Sequence, residues 1–162
     1  MKELLILRHS IAVPGDARTP DFERPLTPHG HVLAETVGVH LRHQQLLPDL
    51  VLCSTATRTR ATLRDLMHGA EWEAPVFYED DFYHGGSQQV LDQVALRAKD
   101  ANRVLIVGHN PTVSELIRHL ADSHVHMQPA TLARLVLELE AWRELSSFAL
   151  AQLDGLWPAQ GG

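Results

Sequence analysis

The chain has 162 residues, 44% of them apolar, and 14 basic against 20 acidic side chains give a formal charge of −6. That length and composition suit one domain, residues 1–162, with a core of ordinary size. The acidic balance gives no general attraction to nucleic acid or to an anionic membrane, so any anion site must be a local concentration of positive charge on an acidic body.

The first strand is the apolar run Leu4-Leu5-Ile6-Leu7, which leads straight into Arg8-His9-Ser10. A polar loop with Pro14, Gly15 and Pro20 covers Ile11 to Arg24 and is too long for a plain connection. A helix then begins with Thr27 as N-cap and Pro28 as first residue. Its apolar stripe is Leu33, Val37 and Leu41, and it ends before Pro48. Leu50-Val51-Leu52-Cys53 is a second buried strand, followed by Ser54-Thr55-Ala56-Thr57-Arg58 and a helix through about Met67, with Gly69 as its stop. Val76-Phe77-Tyr78 reads as an edge strand and Glu79 to Gly86 as an acidic-aromatic loop. Ser87 caps a helix whose apolar face is Val90, Leu91 and Val94. Val104-Leu105-Ile106-Val107 is the third strong strand and stops at Gly108-His109-Asn110-Pro111. Asn110 and Pro111 there read as cap and first residue of a helix lined by Val113, Leu116, Ile117 and Leu120. Leu135 to Leu139 is a further strand, Ala141 to Leu153 holds one more strand and a short helix, and the Gly161-Gly162 end is loose. This alternation predicts an α/β three-layer sandwich, a mainly parallel central sheet with helices on both faces.

A lone cysteine, Cys53, excludes an intramolecular disulfide framework and reads as a buried small hydrophobe. No stretch approaches the ~20 apolar residues of a membrane span, and the start of the chain does not have a signal-peptide pattern, so the cytoplasm is the expected location. The 11 histidines include His40 and His43 on one helix face and His119, His124 and His126 close in sequence. They form no recognisable ligand motif, and no metal is expected. The chain has no Walker or dinucleotide-binding glycine pattern.

The chemistry gathers at three strand ends. The first gives Arg8 and His9. The second gives Ser54 and, one turn into the next helix, Arg58. The third gives His109 before a helix N-terminus. Two guanidiniums, two imidazoles, a hydroxyl and free backbone N–H groups make a phosphoryl-binding environment. An imidazole can also attack phosphorus and hold the group covalently. Each residue has a plainer reading. Arg8 can close a sheet edge, Arg58 can belong to a basic helix face with Arg60 and Arg64, and Arg24 can pair with Asp21 or Glu23. Ser54 is as good a helix cap as a ligand, and Thr62 reads as packing.

Leu5-Ile6-Leu7-Arg8-His9, Arg24-Pro25-Leu26-Thr27, Cys53-Ser54 with Arg58 and Thr62 at fixed spacing, and Val107-Gly108-His109-Asn110-Pro111 follow one another over nearly the whole chain. This succession resembles the histidine phosphatase superfamily, with its phosphoglycerate mutase-like fold, and within it the bacterial SixA-like phosphohistidine phosphatases. The resemblance implies a metal-independent and cofactor-free phosphatase in which His9 is phosphorylated. Arg8 and Arg58 would bind the phosphoryl oxygens, His109 would stabilise the transferring group, and Arg24 would supplement the pocket.

Two departures bear on the substrate. Ser10 stands where the wider family has glycine. Larger members supply a carboxylate from the loop after the fourth strand, whereas Tyr83-His84-Gly85-Gly86 has none and Glu79, Asp80 and Asp81 lie just before it. An alkoxide leaves poorly unprotonated, whereas a protonated imidazole leaves easily. The expectation is therefore phosphohistidine on a protein. A small-molecule phosphomonoesterase or mutase, taking its acid from Glu79, Asp80, Asp81 or His84, is the alternative within enzymes. A phosphate-binding module without turnover is the alternative outside them.

Overall fold

The computed structural model of the chain describes residues 1–146 and 150–158. The strands are β1 Lys2–Arg8, β2 Leu50–Ser54, β3 Val76–Glu79, β4 Arg103–Gly108, β5 Leu132–Leu137 and β6 Ala151–Trp157. They form one sheet in the order β3-β2-β4-β1-β5-β6. β1, β2, β3 and β4 run parallel, β5 is antiparallel to β1, and β6 is antiparallel to β5. The sheet is thus mainly parallel, with β3 at the edge as its half-polar sequence predicts.

The contiguous apolar runs of β1, β2 and β4 are explained by burial on both faces. Leu4 and Ile6 face one core with Phe82, Val90, Val113 and Leu116, while Leu5 and Leu7 face the other with Leu33, Val37, Leu63 and Leu66. Helices α1 (Pro28–His43) and α2 (Thr57–Ala70) cover the second face. The one-turn helix α3 (Asp81–His84), α4 (Ser87–Arg97) and α5 (Thr112–Ala121) cover the first. These are the three expected layers.

Thr27 caps α1 by accepting the Gly30 N–H at 2.9 Å, with Pro28 at the first helical position. Several local expectations are corrected. Gly69 does not stop α2: it lies inside the helix, where a Cβ would sit 2.1 Å from the Glu35 carbonyl of α1, and Glu71 ends the helix in the left-handed region. The segment after β3 is not all loop, because buried Phe82 anchors α3. Ser87 is the first residue of α4 rather than its cap, and the Gln89 side chain accepts the Gly86 N–H at 2.9 Å. α5 begins at Thr112, after a cis Asn110–Pro111 bond. Asn110 Oδ1 instead accepts the Ser114 hydroxyl at 2.8 Å. The strand placed at Leu135–Leu139 lies at Leu132–Leu137, because β1 offers no partner beyond the Lys2–Leu137 pair. Between Ala141 and Leu153 lie a 3-10 turn at Trp142–Glu144 and the start of β6. The terminal Gly161-Gly162 falls outside the described residues. No described helix is long and apolar enough to cross a membrane.

Candidate active site

Parallel strands end at the same edge, so β1, β2 and β4 deliver their following residues to one place. Arg8 of β1 is in register with Gly108 of β4, and the His9 N–H donates to the Gly108 carbonyl at 3.0 Å. His9, Ser10, Ser54, Arg58, Thr59, Thr62 and Thr131 are buried polar residues, and most of them cluster at this edge. In open α/β sheets that is where ligands bind.

His9 is 7% exposed. Its Nδ1 lies 2.7 Å from the Ser10 carbonyl oxygen. A carbonyl can only accept, so Nδ1 carries the proton and Nε2 of the neutral ring is a free base. Burial first, then the positive fields of His109, Arg58 and Arg8, push His9 down to about 3, against the opposite pull of the Ser10 carbonyl. The ring is therefore neutral at physiological pH, with Nε2 unprotonated.

The His109 ring centroid lies 5.3 Å from that of His9. Ser54 Oγ is 2.8 Å from His109 Nε2 and also accepts the Ala56 N–H at 3.3 Å. Ser54 does not cap α2, whose N-cap is Ala56 and receives no side-chain bond; its hydroxyl holds the His109 ring instead. Burial and then Arg58 lower His109 to about 4, while Asp21 pulls the other way. Arg8 donates from Nη1 to the Met127 carbonyl at 2.9 Å, an oxygen that also accepts from Asn110 Nδ2 at 2.8 Å. Arg58 donates from Nη1 to the Asp21 carbonyl at 2.9 Å and from Nη2 to Asp21 Oδ2 at 3.2 Å. Arg8 Nε, Arg58 Nε and His109 Nδ1 are buried without a protein partner.

Arg24 reaches the same place through the long loop. Ala12 bridges to Leu26, folding the loop back on itself, and a 3-10 turn at Asp21–Glu23 lies between. Arg24 Nε donates to Asp21 Oδ1 at 2.9 Å and Nη1 to the Val13 carbonyl at 2.9 Å. It therefore makes the loop ion pair that its sequence context allowed, on a carboxylate shared with Arg58. The five residues singled out from the sequence, Arg8, His9, Arg24, Arg58 and His109, meet in one cup with two neutral imidazoles and three guanidiniums.

The structure brings Tyr83 into the site and gives Asp21, Thr62 and Ser10 contacts beyond those their sequence positions suggested. Asp21 is held by Arg24, Arg58 and the Tyr83 hydroxyl, the last at 2.7 Å. The Tyr83 ring lies 5.5 Å from His109 and 5.0 Å from Phe22. Thr62 is more than packing: its Oγ accepts the Ser10 N–H at 3.0 Å and donates to the Arg58 carbonyl at 2.7 Å. Ser10 Oγ donates to the Gly30 carbonyl at 2.7 Å, so its hydroxyl is spent on α1. Glu79, Asp80 and Asp81 are engaged elsewhere, with Arg97, Thr55 and Gln93.

The sheet order and the placement of histidine and arginine at its carboxyl edge define the phosphoglycerate mutase-like α/β fold. No protein-family profile matches the chain. A Nakamurella multipartitia structure assigned as a SixA phosphohistidine phosphatase superposes with a TM-score of 0.84 and 34% identity, covering 98% of this chain and 96% of that one. An uncharacterised Mycobacterium tuberculosis protein is 35% identical over 115 residues, 71% of this chain and 70% of that protein. An uncharacterised chloroplastic protein of Arabidopsis thaliana is 28% identical over 169 residues, 99% of this chain and 76% of that protein. The chain belongs to the histidine phosphatase superfamily, in its SixA-like branch.

Proposed function

We propose that the protein removes a phosphoryl group from phosphohistidine on a protein, through a phospho-His9 intermediate. His9 Nε2 attacks phosphorus in line with the leaving nitrogen. Arg8, Arg58 and Arg24 bind the phosphoryl oxygens, and His109 stabilises the group in transfer. Water then attacks phospho-His9. Preorganised cations of this kind are the main catalytic device available for phosphoryl transfer. On this reading the guanidiniums meet the phosphoryl charge and no metal or cofactor is required.

The observation that carries the reading is the His9 Nδ1–H to Ser10 carbonyl bond at 2.7 Å. It fixes the tautomer that leaves Nε2 as nucleophile beside two arginines. The similar Nakamurella structure, assigned as a phosphohistidine phosphatase, supports the substrate class. So does the engagement of Glu79, Asp80 and Asp81 away from His9, since an alkyl phosphate needs a proton donor that phosphohistidine does not.

The test is trapping. Incubation with a ³²P-phosphohistidine protein should label the chain with an acid-labile, alkali-stable phosphoryl group, and His9→Ala should abolish the label. Label that persists in His9→Ala would sink the mechanism. Tight phosphate binding without any label would make the protein a binding module. Rates on phosphohistidine, p-nitrophenyl phosphate and a slow alkyl phosphate should fall in that order.

A further inference from the structure

We propose that Asp21, with the Phe22–Tyr83 aromatic pair beside it, forms a leaving-group subsite. It selects a flat ring bearing a proton on nitrogen, the imidazole of phosphohistidine, over alkoxides and over substrates that carry their own carboxylate. The inference deepens the phosphohistidine reading and rests on it.

A carboxylate is an odd tenant for a phosphate cup, since it occupies donors and repels an incoming phosphoryl dianion. Here it is firmly placed. Asp21 Oδ1 accepts from Arg24 Nε at 2.9 Å, and Oδ2 accepts from the Tyr83 hydroxyl at 2.7 Å and Arg58 Nη2 at 3.2 Å. Yet its side chain is 56% exposed, against 7% for Arg58, so it faces outward from the rim. His9 lies at the floor. In-line displacement on Nε2 sends the departing group out on the side away from His9. Beside Asp21 at the rim lie exposed Phe22 and half-buried Tyr83, the two rings packed edge to face, with exposed His84 against the Tyr83 ring. Aromatic faces and edges accept a flat ring, and the carboxylate accepts its N–H.

The step balances without an acid from the protein. The distal nitrogen of the substrate ring takes its proton from solvent before transfer, and Asp21 accepts that N–H. The P–N bond breaks with its electron pair going to the ring nitrogen, while His9 Nε2 forms the new N–P bond. The departing ring leaves as neutral imidazole. Asp21 itself has no proton to give: the Tyr83 hydrogen bond, Arg58 and Arg24 outweigh its desolvation and hold it down at about 2. An alkoxide would gain no proton from Asp21, and a substrate carboxylate would meet like charge.

Asp21→Asn separates the two roles of this carboxylate by sign. On a peptide phosphorylated at histidine by potassium phosphoramidate, kcat/KM should fall tenfold or more. On p-nitrophenyl phosphate, which needs no N–H acceptor, kcat/KM should rise severalfold as Arg58 is released to the anion, and inorganic phosphate should inhibit more tightly. Asp21→Glu should restore part of the preference for the peptide, and Tyr83→Phe should shift the ratio in the same direction as Asp21→Asn but less. Parallel losses on both substrates would reduce Asp21 to a structural clamp and overturn the proposal, as would an unchanged ratio. Wild-type protein that forms phospho-His9 from p-nitrophenyl phosphate but leaves the peptide untouched would instead overturn the phosphohistidine reading, and the subsite with it.

Discussion

At the scale of the residue, the decisive feature is one proton. His9 donates from Nδ1 to a carbonyl, and burial holds the ring neutral down to about pH 3. An ordinary histidine titrates near 6.5. The ring carbon shifts of His9, followed by NMR from pH 8 to 5, should therefore stay constant and report the Nδ1–H tautomer throughout. A midpoint near 6.5 would mean that the ring is solvated and the hydrogen bond absent. Ser10 belongs to the same scale. It departs from the glycine usual in the superfamily, yet its hydroxyl is bonded to the Gly30 carbonyl and its N–H to Thr62. The extra atom is absorbed by the scaffold rather than presented to the cup.

At the scale of the element, the close pair α1 and α2 sets the position of Arg58 relative to His9. Two glycines permit the approach reciprocally. A Cβ on Gly38 of α1 would lie 1.9 Å from the Leu66 carbonyl of α2, and one on Gly69 of α2 would lie 2.1 Å from the Glu35 carbonyl of α1. Both clashes are with backbone, so the helices must separate to accept a methyl group. Gly38→Ala should cost about 2–4 kcal/mol, above the ~1–3 kcal/mol usual for overpacking, and lower phosphatase activity because α2 carries both Arg58 and Thr62. Thermal unfolding alongside kcat/KM checks this, and a variant as stable and active as the parent would show that the helices tolerate separation. The helix faces were legible in the sequence through Leu33, Val37 and Leu41 at a spacing of four. This crossing was not, because Gly69 reads locally as a helix stop and only the partner helix makes it an interior contact. Likewise β5 was displaced by three residues at its start, since its limits are set by pairing with β1 rather than by its own apolar run.

At the scale of the whole molecule, an acidic chain holds a positive cup at one end of a sheet. Strand ends at Arg8-His9, Ser54 and Gly108-His109 were legible because a buried parallel strand is an uninterrupted apolar run and its polar residues must lie at the end. Asp21 and Tyr83 were not, because they are separated by 62 positions and only the folding back of the Ala12–Leu26 loop brings them together. The cup also costs stability in acid. His9 and His109 are lowered to about 3 and about 4 in the fold, from about 6.5 in the unfolded chain. Between pH 4 and 6.5 the unfolded chain therefore binds more protons than the folded one. The stability these neutral rings contribute is fully present above pH 6.5 and is lost as pH falls through the folded values. Each fully shifted histidine contributes a slope of about 1.4 kcal/mol per pH unit near the middle of that window. His40, whose pKa burial also lowers, acts in the same direction. Urea unfolding at pH 7, 6, 5 and 4.5 should show stability declining steadily, and His9→Gln should flatten the decline by about that slope while leaving a folded protein. Parallel curves for parent and variant would mean that His9 is not buried as a neutral base, and would remove the nucleophile on which the mechanism depends.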